Sequence, residues 1–239
     1  MLNVDAVLFD LDDTLHDDTL AYKSAAGRVA RDVAELRGID PAQLRAAYIA
    51  QAEEFWTGLT DDQLATKLAG VRIRLWSAAL AEVGILDAAL AGRCADDYNR
   101  YRGEYLQLFP GAMELLEALR AAGLKLGLLT NGFAETHREK IALLHLSDAF
   151  DEIFIADEVG MLKPDPLLFA HACAGLGVAP ERTAMVGDRY ERDVRGAHTA
   201  GLVTIWMNVH GGTLPPGAPS PDVTVPDLAG VAAALGYHS

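Results

Sequence analysis

The segment Asp10-Leu11-Asp12-Asp13-Thr14 packs three carboxyls and a hydroxyl into five residues. In an extended segment Asp10 and Asp12 point to one side and Leu11 to the other. Two carboxylates held that close repel, and both ionise easily only beside a cation. A third acid, Asp188, closes the run Val186-Gly187-Asp188. Three carboxylates with no His or Cys beside them form a hard oxygen donor set of the kind Mg²⁺ takes. Two more polar groups stand out. Thr130-Asn131-Gly132 ends an apolar run, and Lys163 follows Asp157-Glu158 at a short distance. Any one of these acids is compatible with a solvated turn. Acid, hydroxyl, amide and ammonium groups meeting at one place are the equipment of a ligand site.

They meet only if the intervening chain brings them together. Short apolar runs at Ala6–Phe9, Lys125–Leu129, Ile153–Ala156, Thr183–Val186 and Val203–Trp206 read as strands. They are apolar at successive positions, as in strands covered on both faces. Helical patterns alternate with them: one between Pro110-Gly111 and Gly123, then Glu135–Leu146, Pro166–Gly175 and Asp193–Gly201. That alternation predicts an α/β fold with a doubly wound parallel sheet. The Gly- and Pro-rich tail from Gly211 to Pro226 reads as loop, with a short edge strand at Val223–Val225. In such a sheet the carboxyl ends of the strands share one edge, and ligands bind there. Asp10, Thr130 and Asp188 all fall at such ends.

From His16 to Leu106 no strand is evident. A loop that long is implausible in a compact domain. Val29, Val33 and Leu36, then Leu44, Tyr48 and Phe55, repeat with helical spacing. Asp17 or Asp18 suits the start of the first helix, and Pro41 the first turn of another. The expected organisation is a core of residues 1–15 and 107–239, interrupted by a domain of about four helices over residues 16–106.

Composition narrows the function classes. The 239 residues carry 20 basic and 34 acidic side chains, a formal charge of −14. Such a surface repels polyanions, so nucleic acid is not an expected partner. No apolar run is long enough to span a membrane, and the N-terminal residues do not read as a secretory signal, so a cytoplasmic location is expected. Cys94 and Cys173 lie far apart and read as buried small hydrophobes.

Four stretches resemble the motifs of the haloacid dehalogenase-like (HAD) hydrolase superfamily. They are DLDDTL at Asp10–Leu15, LLTNG at Leu128–Gly132, KPDP at Lys163–Pro166 and VGDRYERD at Val186–Asp193, in that order. The resemblance implies a Rossmann-like core with a helical cap domain of the type-one class. It implies Asp10 as nucleophile, and Asp12 as the acid that protonates the leaving group and then the base that activates water. Thr130, with Asn131 and Gly132, would bind the phosphoryl group, and Lys163 would neutralise its charge. Mg²⁺ would be held by Asp10, the backbone carbonyl of Asp12, and Asp188. Asp193 would serve the outer sphere of the metal or orient Lys163, and Thr14 would stabilise the turn after the first strand.

Asp12 separates the chemistries that share this resemblance. Dehalogenases lack an acid there, because halide leaves without a proton. A phosphonatase would need a cap amine, for which Lys23 is available, and mutases often carry Gly where Asp13 stands. The expectation is a phosphatase acting on a small phosphate ester such as a nucleoside monophosphate or a sugar phosphate, with mutase and phosphonatase as alternatives. A phospho-accepting receiver switch is a non-enzyme alternative, but its acceptor Asp follows the third strand, and no long insert follows the first. Tyr22, Phe55, Trp56 and Trp76 either face substrate or fill the cap's interior, and burial of aromatics favours the second. His137, His145, His171 and His198 are not expected to be ligands.

Overall fold

The computed structural model describes residues 2–60, 68–209 and 211–237. The chain divides into two compact units, one of residues 1–17 with 108–239 and the other of residues 18–107.

Among the described residues the inserted unit consists of four helices: α1 (Asp18–Arg37), α2 (Pro41–Thr57), α3 (Leu68–Glu82) and α4 (Ala88–Glu104). Asp40 caps α2 by accepting from the Ala42 N–H at 2.9 Å, with Pro41 in the first turn. Asp87 caps α4 in the same way through Leu90. Trp76 is fully buried and stacks on Tyr48 with centroids 4.0 Å apart. It fills the interior of the helical unit. Tyr101 on α4 donates to Asp32 on α1 at 2.7 Å. Leu36 departs from the expected buried stripe: it lies in the last turn of α1 and is 69% exposed.

The other unit is a six-stranded sheet. Its strands are β1 (Ala6–Phe9), β2 (Lys125–Thr130), β3 (Glu152–Ile155), β4 (Thr183–Gly187), β5 (Val203–Met207) and β6 (Val223–Val225), in the order β3-β2-β1-β4-β5-β6. Every neighbouring pair is parallel. The chain winds outward from β1 to β3 and then returns to start again at β4. The switch point therefore lies between β1 and β4, where a doubly wound sheet opens a crevice. All four residues of β1 are wholly buried, as a strand covered on both faces requires. Phe9 pairs with Leu128 on one side and Val186 on the other, which sets Asp10 level with Gly187.

The remaining helices are α5 (Ala112–Ala121), α6 (Ala134–Leu143), α7 (Ala156–Val159), α8 (Pro166–Leu176), α9 (Arg195–Thr199) and α10 (Leu228–Leu235). Three departures from the sequence expectation have local causes. α6 stops at Leu143 because His145 takes a left-handed φ of 57° and Leu146 donates back to Ile141. Ala156 begins a single helical turn, ended by Gly160 at φ 75°, instead of extending β3. The segment expected as a helix from Asp193 opens with a π-turn at Tyr190–Val194 before α9. Such turns are rare and recur at functional sites. No described helix is long and apolar enough to cross a membrane.

Candidate active site

The ends of β1 and β2 and the π-turn beyond β4 converge on the ammonium of Lys163. Its Nζ donates to Asp10 Oδ1 at 2.7 Å and to the Leu129 carbonyl at 2.8 Å, and it lies 2.7 Å from Asp193 Oδ1. The lysine is 3% exposed. Asn131 fixes the loop that carries it: its amide nitrogen donates to the Lys163 carbonyl at 2.9 Å, and its amide oxygen accepts from the Lys163 N–H at 2.8 Å. The Asn131 side chain thus positions Lys163. Asp193 is aimed by the π-turn, where its Oδ2 accepts from the Arg189 N–H at 2.9 Å.

Asp188 follows β4, and its carbonyl accepts from Trp206 Nε1 at 2.9 Å. Carboxylate oxygens of Asp10, Asp188 and Asp193 lie within 4.8 Å of one another. Burial, together with the neighbouring Asp193 and Asp12, pushes the Asp10 carboxyl up to about 7 in spite of Lys163. Burial, then Asp193 and Asp10, pushes Asp188 well above the usual carboxylate range. Lys163 is displaced upward: burial opposes its charge, but Asp10 and Asp193 outweigh it. Three buried carboxylates therefore outnumber their two cationic neighbours, the buried Lys163 and the exposed Arg189, whose Nε lies 3.3 Å from Asp188 Oδ2. Such a set of hard oxygens with surplus negative charge fits a divalent cation such as Mg²⁺.

Asp12 stands differently from the sequence expectation. Its carboxylate is not part of that acidic group; the third acid is Asp193. Asp12 Oδ1 accepts from Lys140 Nζ and lies 2.8 Å from His16 Nε2. Its Oδ2 lies 3.5 Å from His137 Nε2. The expected absence of histidine near these acids is thus incorrect for Asp12. The extended geometry fails one residue later: Asp13 adopts φ 57° and its N–H donates to the His16 carbonyl at 2.9 Å, so the chain turns sharply. Burial alone would raise the Asp12 carboxyl, but Lys140, His137 and His16 hold it well below the usual range. Burial, reinforced by Lys140, lowers the pKa of His137. Sequence reasoning missed His16, His137 and Lys140. A signal existed: His137 and Lys140 are three residues apart, on one face of a helix that starts just after Thr130-Asn131-Gly132.

Thr130, the last residue of β2, is 1% exposed at the same sheet edge. Gly132 has φ 149°, and a Cβ there would meet His137 Cε1 at 2.0 Å. Glycine at 132 is what lets the imidazole approach Asp12. Asp157 caps α6, its Oδ2 accepting from the Ala134 N–H at 2.9 Å. Thr14 is wholly buried, and its N–H donates to the Leu11 carbonyl at 3.4 Å within the turn after β1.

A three-carboxylate cluster at the switch point of a doubly wound sheet, served by one buried lysine, defines a class that comparison with known proteins identifies. A family model for haloacid dehalogenase-like hydrolases matches residues 4–201, and the chain belongs to that family. A phosphoserine phosphatase of Thermus thermophilus is 34% identical over 93% of this chain and 95% of its own length. An N-acylneuraminate-9-phosphatase of Rattus norvegicus is 34% identical over 93% of this chain and 90% of its own. The structure of the HAD-hydrolase YfnB from Bacillus subtilis, bound to magnesium, superposes with a TM-score of 0.78 at 25% identity, covering 98% of this chain and 99% of that one. Family membership and the phosphatase relatives together make the chain a phosphoric monoester hydrolase.

Proposed function

We propose that the protein is a magnesium-dependent phosphatase of a small phosphorylated metabolite, working through an aspartyl-phosphate on Asp10. The observation that carries this reading is the Lys163 ammonium 2.7 Å from Asp10 Oδ1, inside an acidic cluster at the β1–β4 switch point.

Asp10 attacks phosphorus in line, so that an Oδ–P bond forms as the P–O bond to the leaving group breaks. Lys163 offsets charge on the phosphoryl oxygens while holding the Asp10 carboxylate in place, and Thr130 with Asn131 and Gly132 lines the same strand end. Asp12 gives a proton to the departing alkoxide. In the second half-reaction Asp12 takes a proton from water, which attacks phosphorus and frees Asp10 and inorganic phosphate. The ionised Asp12 favoured by Lys140 is the form this second step requires. A phosphate dianion beside it raises its affinity for the proton that the first step requires. Asp10, Asp188 and the backbone carbonyl of Asp12 would hold Mg²⁺, which would supply positive charge to keep Asp10 ionised and offset the charge of the phosphoryl group. Asp193 is engaged by Lys163 and orients it.

The substrate class rests on relatives that act on phosphoserine and on N-acylneuraminate 9-phosphate. Both are small phosphate monoesters, and a panel of phosphorylated metabolites, sugar phosphates and nucleoside monophosphates included, covers the field. The test is steady release of inorganic phosphate from p-nitrophenyl phosphate in Mg²⁺, lost in Asp10→Asn with an unchanged circular dichroism spectrum. Retained turnover in that variant would remove Asp10 from its role. A receiver-type switch would accept one phosphoryl group and stop, and a mutase would return it to an organic acceptor.

A further inference from the structure

Asp12 is anchored from behind. Its side chain is 30% exposed, whereas the Lys140 side chain on its Oδ1 is 4% exposed and that of His16 is wholly buried. Both cationic or hydrogen-bonding groups meet the same oxygen, and the other oxygen, Oδ2, lies 3.5 Å from His137 Nε2. His137 is itself oriented, with Nδ1 3.1 Å from the Phe133 carbonyl. A nearly buried ammonium is a poor device for stability, because desolvation offsets much of the attraction to its partner. It is an effective device for direction, since an ion pair reinforced by a second contact on the same oxygen restricts rotation of the carboxyl.

We propose that Lys140 is a positioning residue for Asp12, holding that carboxyl in the single orientation from which Oδ2 exchanges a proton with the leaving oxygen. This rests on the phosphatase reading above and adds to it a residue outside the motifs at the strand ends. Lys140 acts through Asp12, not on the substrate. Its loss therefore harms the reaction in proportion to how much the leaving group needs a proton. Alkoxide departure needs one; p-nitrophenolate departs without one.

The experiment compares kcat/KM for a primary alkyl phosphate, O-phosphoserine, and for p-nitrophenyl phosphate, in wild type, Lys140→Met, Lys140→Gln and the reference variant Asp12→Asn. This ratio reports the steps through the first P–O cleavage, so the slower hydrolysis of the phospho-enzyme does not mask the effect. In the Lys140 variants the alkyl ester is expected to lose about 100-fold, the scale of a general acid, and the aryl ester less than about 10-fold. Asp12→Asn should show the same split. Equal loss on both esters, or no loss on either, overturns the proposal. So does failure of both Lys140 variants to reach the wild-type circular dichroism spectrum, which would make the lysine a folding element. A wild-type protein inactive on both esters removes the phosphatase reading, and the proposal with it; an active wild type with equal losses removes the proposal alone.

Discussion

The carboxylate of Asp193 occupies the space that a side chain on residue 187 would need. A Cβ on Gly187 would lie 2.4 Å from Asp193 Cγ and 2.4 Å from Oδ2. The last residue of β4 and the π-turn beyond it are therefore fitted to each other, and Asp193 in turn sets Lys163.

Gly187→Ala is expected to push Asp193 away and misalign Lys163. Overpacking of this kind costs about 1–3 kcal/mol of stability. A displacement of about 1 Å at the reacting centre costs about 100-fold in kcat. Thermal melting and steady-state kinetics on one preparation check both, and wild-type kcat in the variant would contradict the coupling.

Lys163→Met is expected to abolish turnover and to destabilise the fold. It leaves Asp10 and Asp193 buried without their cation. Removing one partner of a buried pair costs about 3–5 kcal/mol. Urea unfolding measures the loss; a variant as stable as wild type would show that the ion pair does not hold this loop.

Mg²⁺ is expected to raise the melting temperature, and Asp188→Ala to remove that rise. At a concentration 100 times Kd the stabilisation is about 2.7 kcal/mol. The effect depends on pH with a definite sign. Asp10 titrates at about 7 in the folded protein against an ordinary value of 3.8. Between those values the metal-free folded state holds a proton that the unfolded chain releases, so at this group stability falls as pH rises through the window. The cation competes for the same oxygen, so its stabilisation should be larger at about pH 8 than at about pH 5. A shift of equal size at both would contradict the assignment of Asp10 as a ligand.

Asn131→Ala removes both hydrogen bonds that clamp the Lys163 peptide. Leaving those groups unsatisfied is expected to cost about 1–3 kcal/mol. Activity should fall while the affinity for Mg²⁺ stays, because the amide touches the lysine loop and not the acidic cluster. Isothermal titration with Mg²⁺ beside a kinetic assay separates the two.

Much of the fold is legible in the residue order. Strands β1 to β5 announce themselves as short apolar runs, each bounded by Gly, Pro or polar residues, and the ends of β1, β2 and β4 supply residues of the candidate site. The helical insert was legible as a gap in the strand rhythm filled by apolar residues at helical spacing. Legibility failed where a local rule met a long-range partner. The left-handed turn at Asp13 brings His16 next to Asp12, a contact that no period-two argument anticipates. Leu36 fits the periodicity of α1 yet lies in its last turn, exposed.

By itself the chain order determined the parallel sheet, the edge at which ligands meet, and the acids, amide and lysine that occupy it. Those follow from strand polarity and from residue types at strand ends, both local properties. The tertiary structure alone decided which acids share a cluster. It joined Asp193 to Asp10 and Asp188, and it gave Asp12 to Lys140, His16 and His137. The physical reason is that a carboxylate's partners are set by packing across elements. Asp12 and Lys140 lie 128 residues apart in sequence, and only the docking of α6 beside the end of β1 brings them into contact.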